Sequence, residues 1–535
     1  MNKHRRVSAA LITAGLVASV CLTGLQAASS ATTHKATPAI KRGGTVIIVS
    51  TGATSLDPIS PLWPTGSSYG YQIFGALFDP TGTSGSTLAP DLATGYSFSN
   101  GFKTLTVKLR SGVKFQDGTP FNAKAVAYNI ERDAGTSSDV SQYFTDLTSV
   151  TTPSKYTVVI HLSHPDTNLA TVLADTNATY IVSPAAIQSE GATQFGLFPI
   201  GAGPFKVTTN NATEQILTSW RGYYASKTRY LAALEYLNDG VNPTTAYQAL
   251  ASGAVQSFTM IGLGDPPTVL QEAESNPSLT TVKGSDLVYT FLPVNTNKPP
   301  FNNPLAREAI DYCTDRAQIA QFVQGGFANP APILAGTSEQ YYPGSPGSVK
   351  SKLAAANKLQ PYQYNVAAGT ALVKQLGGLT FQFNELQGQT AVIATALAQQ
   401  WAQCGITATP NIVGFGQVFG DYATGNYQLS TQISGGIFNG AIYVPLYSVP
   451  TAADDAHGFN SPTITNLLDA TNLSSNDKAL TGIWSRIWGT EDKLAVNIPI
   501  LSADNYYVDN KCLKGLGFIE AGVIFKSAYY TCTPS

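Results

Sequence analysis

Residues 66–70 read Gly-Ser-Ser-Tyr-Gly and match the G-x-S-x-G pattern, in which a serine acts as the nucleophile of a hydrolase. That chemistry requires a strand directly before the serine and a histidine that can act as its base. Prolines at positions 61 and 64 occupy the place of the strand. We therefore predict that Ser67 or Ser68 caps a helix over residues 71–78 and is not a nucleophile.

Histidines are the other candidates for chemistry, either as a base or as metal ligands. His161 and His164 lie in a segment with a strand pattern, and residues three apart on a strand point to opposite faces. Asp454, Asp455 and His457 form an acidic–histidine cluster whose loop composition favours solvation. The P-loop pattern and paired C-x-x-C ligands are both absent. The residues therefore predict neither a catalytic nor a metal site, and no cofactor.

A strand pair, a turn and a capped helix follow one another between residues 90 and 132. Leu105, Val107 and Leu109 alternate with polar residues, which is the period-two pattern of a half-buried strand. The Asp-Gly pair at 117–118, followed by a proline at 120, indicates a turn. Asn122 then offers a side-chain oxygen to the free amides of a helix with one apolar face.

The same stretch resembles the signature region of family 5 of the extracytoplasmic solute-binding proteins, which serve peptide and nickel ABC importers. The family segments P-x-L-A and L-R-x-G-V-K-F-x-D-G-T-P have counterparts at residues 90–93 and 109–120. A G-G-T strand start at 43–45, P-I-G-A-G-P-F at 199–205 and the segment 295–316 also resemble the family. The resemblance runs from Gly43 almost to the last residue.

Composition agrees with a protein that works outside the cytoplasm. The 535 residues can bury two or three cores, and 43% of them are hydrophobic. Charged residues make up only 12%, about half of the usual share of about 25%. With a net charge of −2, the chain has no basic surface that would indicate nucleic acid as a partner.

The first 27 residues are predicted to be an export signal. Basic residues at 3, 5 and 6 precede an apolar run over 7–20, which is shorter than the about 20 residues of a membrane span. Cleavage after Ala27 or Ala31 is compatible with the sequence, and so is lipid attachment at Cys21. Residues 28–42 are rich in Ala, Thr and Ser and are expected to form a flexible leader. The mature protein is expected to be periplasmic or on the cell surface.

Strand and helix patterns interleave along the chain, which predicts an α/β fold with mixed sheets. The resemblance implies a two-lobed, periplasmic-binding-protein-like fold with a hinge between the lobes and a discontinuous first lobe. We assign residues 43–291 to the first lobe, with 79–199 as a subdomain, and 292–494 to the second lobe. Residues 495–535 return to the first lobe. The switches are expected near Phe291–Pro293 and Leu494–Ile498.

The resemblance also implies where the ligand is held. Three segments would line the cleft: the loop after the first strand, the strand before the Asn-Thr pair at 295–296, and the segment after residue 433. For each residue, core packing is an open alternative to ligand contact. The residues concerned are Thr54, Ser55, Tyr289, Phe291, Ser434, Gly435, Gly436, Phe438, Asn439 and Tyr443.

The last of these segments departs from the family pattern. Peptide-binding members resemble G-W-x-A-D-Y-x-D-P, in which an aspartate pairs with the free amine of the peptide. Residues 434–445 read SGGIFNGAIYVP and contain no acidic residue. A buried ammonium without a carboxylate costs several kcal/mol. We therefore expect free-amine peptides to be poor ligands.

Four cysteines follow the export signal and allow three pairings. Cys313 and Cys404 lie on apolar faces of two helices that the resemblance places in the same lobe. Cys512 and Cys532 flank the last strands. Because export permits oxidation, we predict the disulfides Cys313–Cys404 and Cys512–Cys532, with buried free thiols as the alternative.

The function predicted is capture of a small solute between two lobes and its delivery to a membrane permease of an ABC importer. The protein is expected to be a monomer with no enzymatic activity. The alternatives are a secreted hydrolase on another two-domain fold, and a sensor or interaction protein that has kept the lobes without transport.

Overall fold

The computed structural model describes residues 40–532, apart from residues 51, 54, 61–68, 85–86, 136–137, 139, 176, 239–241, 262–266, 287, 325–326, 387–390, 435–458 and 520–521. These residues belong to one unit, Ile40–Ser535, and the other unit, Met1–Ala39, lies outside them. The predicted export signal and Cys21 are therefore outside the described part. Within that part, no helix has the length and apolar character needed to cross a membrane.

The described strands are β1 (Thr45–Ser50), β2 (Phe78–Ser84), β3 (Thr87–Pro90), β4 (Ala93–Ser99), β5 (Thr104–Leu109), β6 (Leu147–Ser154), β7 (Thr157–Leu162), β8 (Phe205–Asn210), β9 (Glu214–Ser219), β10 (Ala233–Asn238), β11 (Ser257–Ile261), β12 (Leu279–Lys283), β13 (Val288–Pro293), β14 (Ala328–Pro330), β15 (Leu379–Leu386), β16 (Ile406–Val413), β17 (Leu429–Ser430), β18 (Gln432–Ser434), β19 (Asn497–Ala503), β20 (Asn505–Asn510), β21 (Leu513–Lys514), β22 (Gly517–Ile519), β23 (Gly522–Ile524) and β24 (Tyr529–Tyr530).

The described α-helices are α1 (Tyr69–Ile73), α2 (Ala123–Asp133), α3 (Leu169–Asp175), α4 (Pro184–Leu197), α5 (Pro243–Ala251), α6 (Pro267–Ser275), α7 (Pro304–Tyr312), α8 (Arg316–Gln324), α9 (Val349–Ala356), α10 (Val366–Gln375), α11 (Ala391–Gln403), α12 (Phe415–Thr424), α13 (Pro462–Thr471) and α14 (Asp477–Leu494).

The larger sheet is mixed and has seven strands in the order β12-β20-β11-β1-β10-β9-β8. Its central strand β1 runs parallel to β10 and β11, whereas β20 runs antiparallel to both β11 and β12. Val46 and Ile48 face one apolar core, and Val49 faces another, because side chains alternate along a strand. Because β11 and β12 both run antiparallel to β20, the strands β1, β10, β11 and β12 share one direction, and their carboxyl ends lie at the same edge of the sheet.

The signature region folds largely as the sequence predicts. β5 pairs with β4 and β7, and its Leu105 and Val107 are buried. Asn122 caps α2, since its Oδ1 accepts a hydrogen bond of 3.1 Å from the amide of Ala125. The helix expected over residues 71–78 is shorter: α1 ends at Ile73, and Gly75 adopts a φ of 70°. A left-handed glycine is a common end of a helix, and β2 begins three residues later.

A four-stranded sheet with the order β14-β19-β13-β18 is called the smaller sheet below. Apolar cores lie on both of its faces: Val288 and Leu292 of β13 pack in one, and Tyr289 and Phe291 pack in the other. A three-stranded sheet, β16-β15-β17, and helices α7 and α11 contribute to the first of these cores. Trp484 of α14 contributes to the second core.

The chain passes twice between the seven-stranded sheet and the four-stranded β14-β19-β13-β18 sheet. It leaves β12 at Lys283 and enters β13 at Val288, and it returns from β19 to β20 through the single residue Asp504. These positions are several residues from the switches expected near Phe291–Pro293 and Leu494–Ile498, because β13 and β19 belong to the second sheet over their whole length. The lobe boundaries themselves stay a prediction.

The predicted cysteine pairs lie at disulfide distance. The Cα–Cα separation is 6.3 Å for Cys313 and Cys404, and 5.2 Å for Cys512 and Cys532. Gly369 of α10 lies against the first pair: an added Cβ there would be 2.2 Å from the sulfur of Cys313. A glycine is therefore required for α10 to pack at this point.

We predict that Gly369→Ala destabilises the protein by about 1–3 kcal/mol, because the added methyl overpacks the core. Gly482→Ala is the matched control: Gly482 is inside helix α14, and a Cβ there has no heavy atom within 4 Å. That control should gain about 0.5–1 kcal/mol from helix propensity. Urea denaturation measures both, and a neutral or stabilising Gly369→Ala would contradict the packing.

Asp509 is a buried carboxyl group inside the larger sheet, opposite Ser257 on β11 and Thr280 on β12. Burial raises the pKa of Asp509 from 3.8 to about 7. The folded state thus binds one more proton than the unfolded state between these values, so the stability contributed by Asp509 falls as the pH rises through this window.

The free energy of unfolding of the wild type should fall by roughly 2–4 kcal/mol between pH 4 and pH 7. We predict that Asp509→Asn does not show this fall, since asparagine resembles the protonated acid. Unfolding free energies of wild type and variant should be measured across this range. Asp469→Asn, at an exposed position, is the control and should leave the pH profile unchanged. Parallel profiles for wild type and Asp509→Asn would contradict the prediction.

Candidate functional site

The candidate site lies where the larger, seven-stranded sheet meets the smaller β14-β19-β13-β18 sheet. Both connections between the sheets leave from the edge at which β1, β10, β11 and β12 end. On the other side of the connections, β13 begins, and β18 and β19 end. Ligands of open α/β sheets bind outside the carboxyl ends of parallel strands, so the space between these two edges is the place for a ligand.

Polar, uncharged side chains form the first edge. The hydroxyl of Tyr69 donates a 2.9 Å hydrogen bond to Oε1 of Gln215 and lies 3.1 Å from the hydroxyl of Ser50. Its ring packs at 4.2 Å from that of Tyr236. Burial raises the pKa of Tyr69, so this hydroxyl stays protonated. The sequence analysis missed Tyr69 and Gln215, because only the fold brings residues 146 positions apart together.

The segment after β1 is held in place by the subdomain. The amide of Leu56 donates to the carbonyl of Gly196 at 2.7 Å, and Arg132 of α2 forms an ion pair with Asp57. The hydroxyl of Ser55 accepts a 3.3 Å hydrogen bond from the amide of Asp57. Ser55 is thus described with a local partner, whereas Thr54 lies outside the described residues.

The second edge brings together two of the residues that the sequence analysis named. Tyr289 of β13 lies directly opposite Ser434 of β18 in the strand register. Phe291 is fully buried, in the same core as Trp484 and Tyr289, so the described contacts of Phe291 are those of a core residue. The remaining named residues, Gly435, Gly436, Phe438, Asn439 and Tyr443, lie outside the described part.

Asp286 lies in the connection from β12 to β13 and anchors this connection to the smaller sheet. Its carboxylate accepts hydrogen bonds from the amide and hydroxyl of Thr337 (both 2.8 Å) and from the amide of Ser338 (2.7 Å). The side chains of Asn329 and Ser502 donate at 3.2 Å. The sequence analysis missed this residue, since a single Asp between two strands gives no sign of donors that lie 43 to 216 residues away.

Three carboxylates near the two edges have partners. Asp504 in the second connection accepts a 2.6 Å hydrogen bond from Lys283, while burial raises the pKa of Asp504. Asp57 pairs with Arg132, and Asp286 has the donors given above. Asp57, Asp286 and Asp504 are therefore already engaged, and the hydroxyl of Ser50 is partly exposed at the first edge.

The catalytic and metal candidates do not come together. Nε2 of His161 contacts Thr151, and Nδ1 of His164 lies 2.6 Å from Asp146, at exposed positions. No group of three or more potential metal ligands occurs among the described residues. Ser67, Ser68 and the cluster at 454–457 lie outside those residues.

Comparison with known proteins identifies the class. Residues 87–452 match the family model of the bacterial extracellular solute-binding proteins, family 5 (middle region). The matched residues make up more than half of the chain. The chain belongs to this family, whose members are substrate-binding proteins with a two-lobed fold.

Particular relatives bind different solutes. The glutathione-binding protein GsiB of Escherichia coli K12 is 27% identical over 402 residues, or 74% of each chain. DppA of Helicobacter pylori, solved with the peptide STSA, has a TM-score of 0.76 at 20% identity and covers 92% of this chain and 99% of its own. NikA of Brucella suis, solved with Fe(III)-EDTA, has a TM-score of 0.76 at 17% identity, with coverages of 91% and 100%. The fold is shared, and the solute must be argued from the site.

We predict that Asp286→Ala destabilises the protein by about 3 kcal/mol, because five donors lose their shared acceptor in a buried place. Asp504→Asn is the matched control in the second connection. It should cost about 1 kcal/mol or less, since the partner Lys283 is half exposed. Urea denaturation at neutral pH measures both. Equal effects of the two substitutions would contradict the anchoring role of Asp286.

Proposed function

We propose that the protein captures a polar solute without a free ammonium group between its two lobes and delivers it to the membrane permease of an ABC importer. The observation that carries this proposal is that the carboxylates of Asp57, Asp286 and Asp504 beside the site already have partners. Ser50 offers a partly exposed hydroxyl at one edge, beside the buried pair of Tyr69 and Gln215, and Tyr289 lies on the other edge.

The charge argument separates this chain from peptide-binding relatives. Residues 434–445, which continue from β18 at the second edge, contain no acidic residue. Asp286 and Asp504 at the connections already have partners. A solute ammonium would lose its water without gaining a carboxylate, which costs several kcal/mol. A neutral, glycosidic or amine-blocked solute meets no such penalty.

The remaining features of the proposal follow from the family and the sequence. The protein would be exported, with the signal cleaved after Ala27 or Ala31 or with a lipid on Cys21. It would act as a monomer without enzymatic activity, and the two cysteine pairs would be oxidised. A sensor on the same fold is the second candidate, and permease genes beside its gene would favour transport.

Calorimetry with defined ligands tests the proposal. Reduced glutathione and the peptide Ser-Thr-Ser-Ala carry a free amine, whereas N-acetylated Ser-Thr-Ser-Ala does not. We predict that the two free-amine ligands bind weakly or not at all, and at least about ten-fold more weakly than any blocked ligand that binds, which corresponds to about 1.4 kcal/mol.

Native mass spectrometry of protein purified without refolding identifies a retained solute directly. The proposal predicts a neutral or amine-blocked compound. Micromolar binding of an unmodified peptide, or a retained solute with a free ammonium group, would contradict it.

A further inference from the structure

A second contact joins the two parts of the molecule, away from the connections. Thr167, in the loop before α3, donates its amide to the carbonyl of Asn472 at 3.3 Å. Its hydroxyl lies 3.1 Å from the carbonyls of both Thr471 and Ser474. The side-chain amide of Asn168 donates to Oδ1 of Asn472. We call this contact the clasp.

The clasp links two separate cores. Leu169, next to Asn168, is fully buried in the core of the larger sheet. Ile464 and Leu467 of α13 are buried in the core of the smaller sheet that contains Tyr289. The bonded residues are more than 300 positions apart in the chain. The clasp therefore exists only when the two parts are close together.

Both sides of the clasp are built for the contact. The acceptors lie at the end of helix α13 and in the turn that follows it: the carbonyls of Thr471 and Ser474, and the carbonyl and side-chain oxygen of Asn472. The carbonyls at the end of a helix carry its partial negative charge. The loop is held by Asp166, whose Oδ1 accepts a 2.7 Å hydrogen bond from the amide of Asn168. All atoms that bond across the clasp belong to neutral groups.

A neighbouring contact supports the same juxtaposition. Burial raises the pKa of Tyr96 on β4, and the charge of Asp477 at the start of α14 raises it further. Asp477 also has a hydrogen bond to Tyr341, which packs in the core of the smaller sheet. The turn between α13 and α14 thus faces the subdomain at more than one place.

We propose that Thr167 and Asn168 fasten the closed arrangement of the lobes and are positioning residues for solute retention, without contacting the solute. The proposal rests on the proposed function in taking lobe closure as the step of capture. It adds that closure has its own hydrogen-bonded lock, whose strength is set by the hydroxyl of Thr167 and the amide of Asn168. Because the groups are neutral, salt should have little effect on the lock.

Hydrogen exchange of the Thr167 amide reports on the clasp directly, because this amide is one of its donors. Exchange is measured by mass spectrometry with residue resolution on the full chain carrying its retained solute and is expressed as a protection factor. We expect protection in the wild type, about five-fold lower protection in Thr167→Val and in Asn168→Ala, and recovery in Thr167→Ser, which keeps the hydroxyl. Raising the salt concentration should leave the values unchanged.

Two controls separate a lock from general destabilisation. Thr148→Val removes a hydroxyl that donates to the carbonyl of His161 inside the same subdomain, at an exposed place, and should leave Thr167 unaffected. The amides of β7 should keep their protection in every variant. An unprotected Thr167 amide in the wild type, or equal protection in Thr167→Val and Thr167→Ser, would overturn the clasp. These readouts do not depend on which solute is retained, so their outcome is separate from that of the ligand tests above.

Discussion

The structure depends on the way in which the two connections between the sheets are held side by side. The amide of Gly284 donates to the carbonyl of Asn505 at 2.7 Å, and the amide of Asn505 donates to the carbonyl of Ser285 at 3.0 Å. Asp286, one residue further on, accepts hydrogen bonds from five donors. Two of them, on Asn329 of β14 and Ser502 of β19, belong to the four-stranded sheet, and the other three belong to Thr337 and Ser338.

This constraint also explains the position of the site. The paired connections bring the edge that carries Ser50 and Tyr69 next to the edge at which β13 begins. The groups of the candidate site therefore lie on both sides of the paired connections. In the proposed function, closure is a hinge motion in which a few residues change conformation while both cores stay intact. In this account the clasp at Thr167 completes the arrangement at a second, distant point.

The sequence predicted most where the signal is local. The alternation of Leu105 and Val107 and the cap at Asn122 require only neighbouring residues, and the structure has both. The family resemblance supplied the long-range order that periodicity cannot, and it placed Tyr289 and Ser434 near each other. The helix after residue 67 was predicted too long, because the left-handed Gly75 carries no signal beyond its identity. The partners of Asp286 and Thr167 lie far away in the chain, and no local pattern marks them.

The same fold holds glutathione in one named relative and Fe(III)-EDTA in a solved structure, so the scaffold does not select the solute. Selection must come from the groups at the two edges. Among the described residues near these edges, Asp286 and Asp504 have hydrogen-bond partners of their own.

Small-angle X-ray scattering tests the central claim, that the two sheets carry lobes which close on a solute about the paired connections. The comparison is between protein with its retained solute, verified by native mass spectrometry, and the same protein after the solute is removed. The account predicts a radius of gyration of about 24 Å for the loaded protein, the value of a compact chain of this length, and a larger value at the same mass after removal. Identical radii for samples whose solute content differs would contradict it.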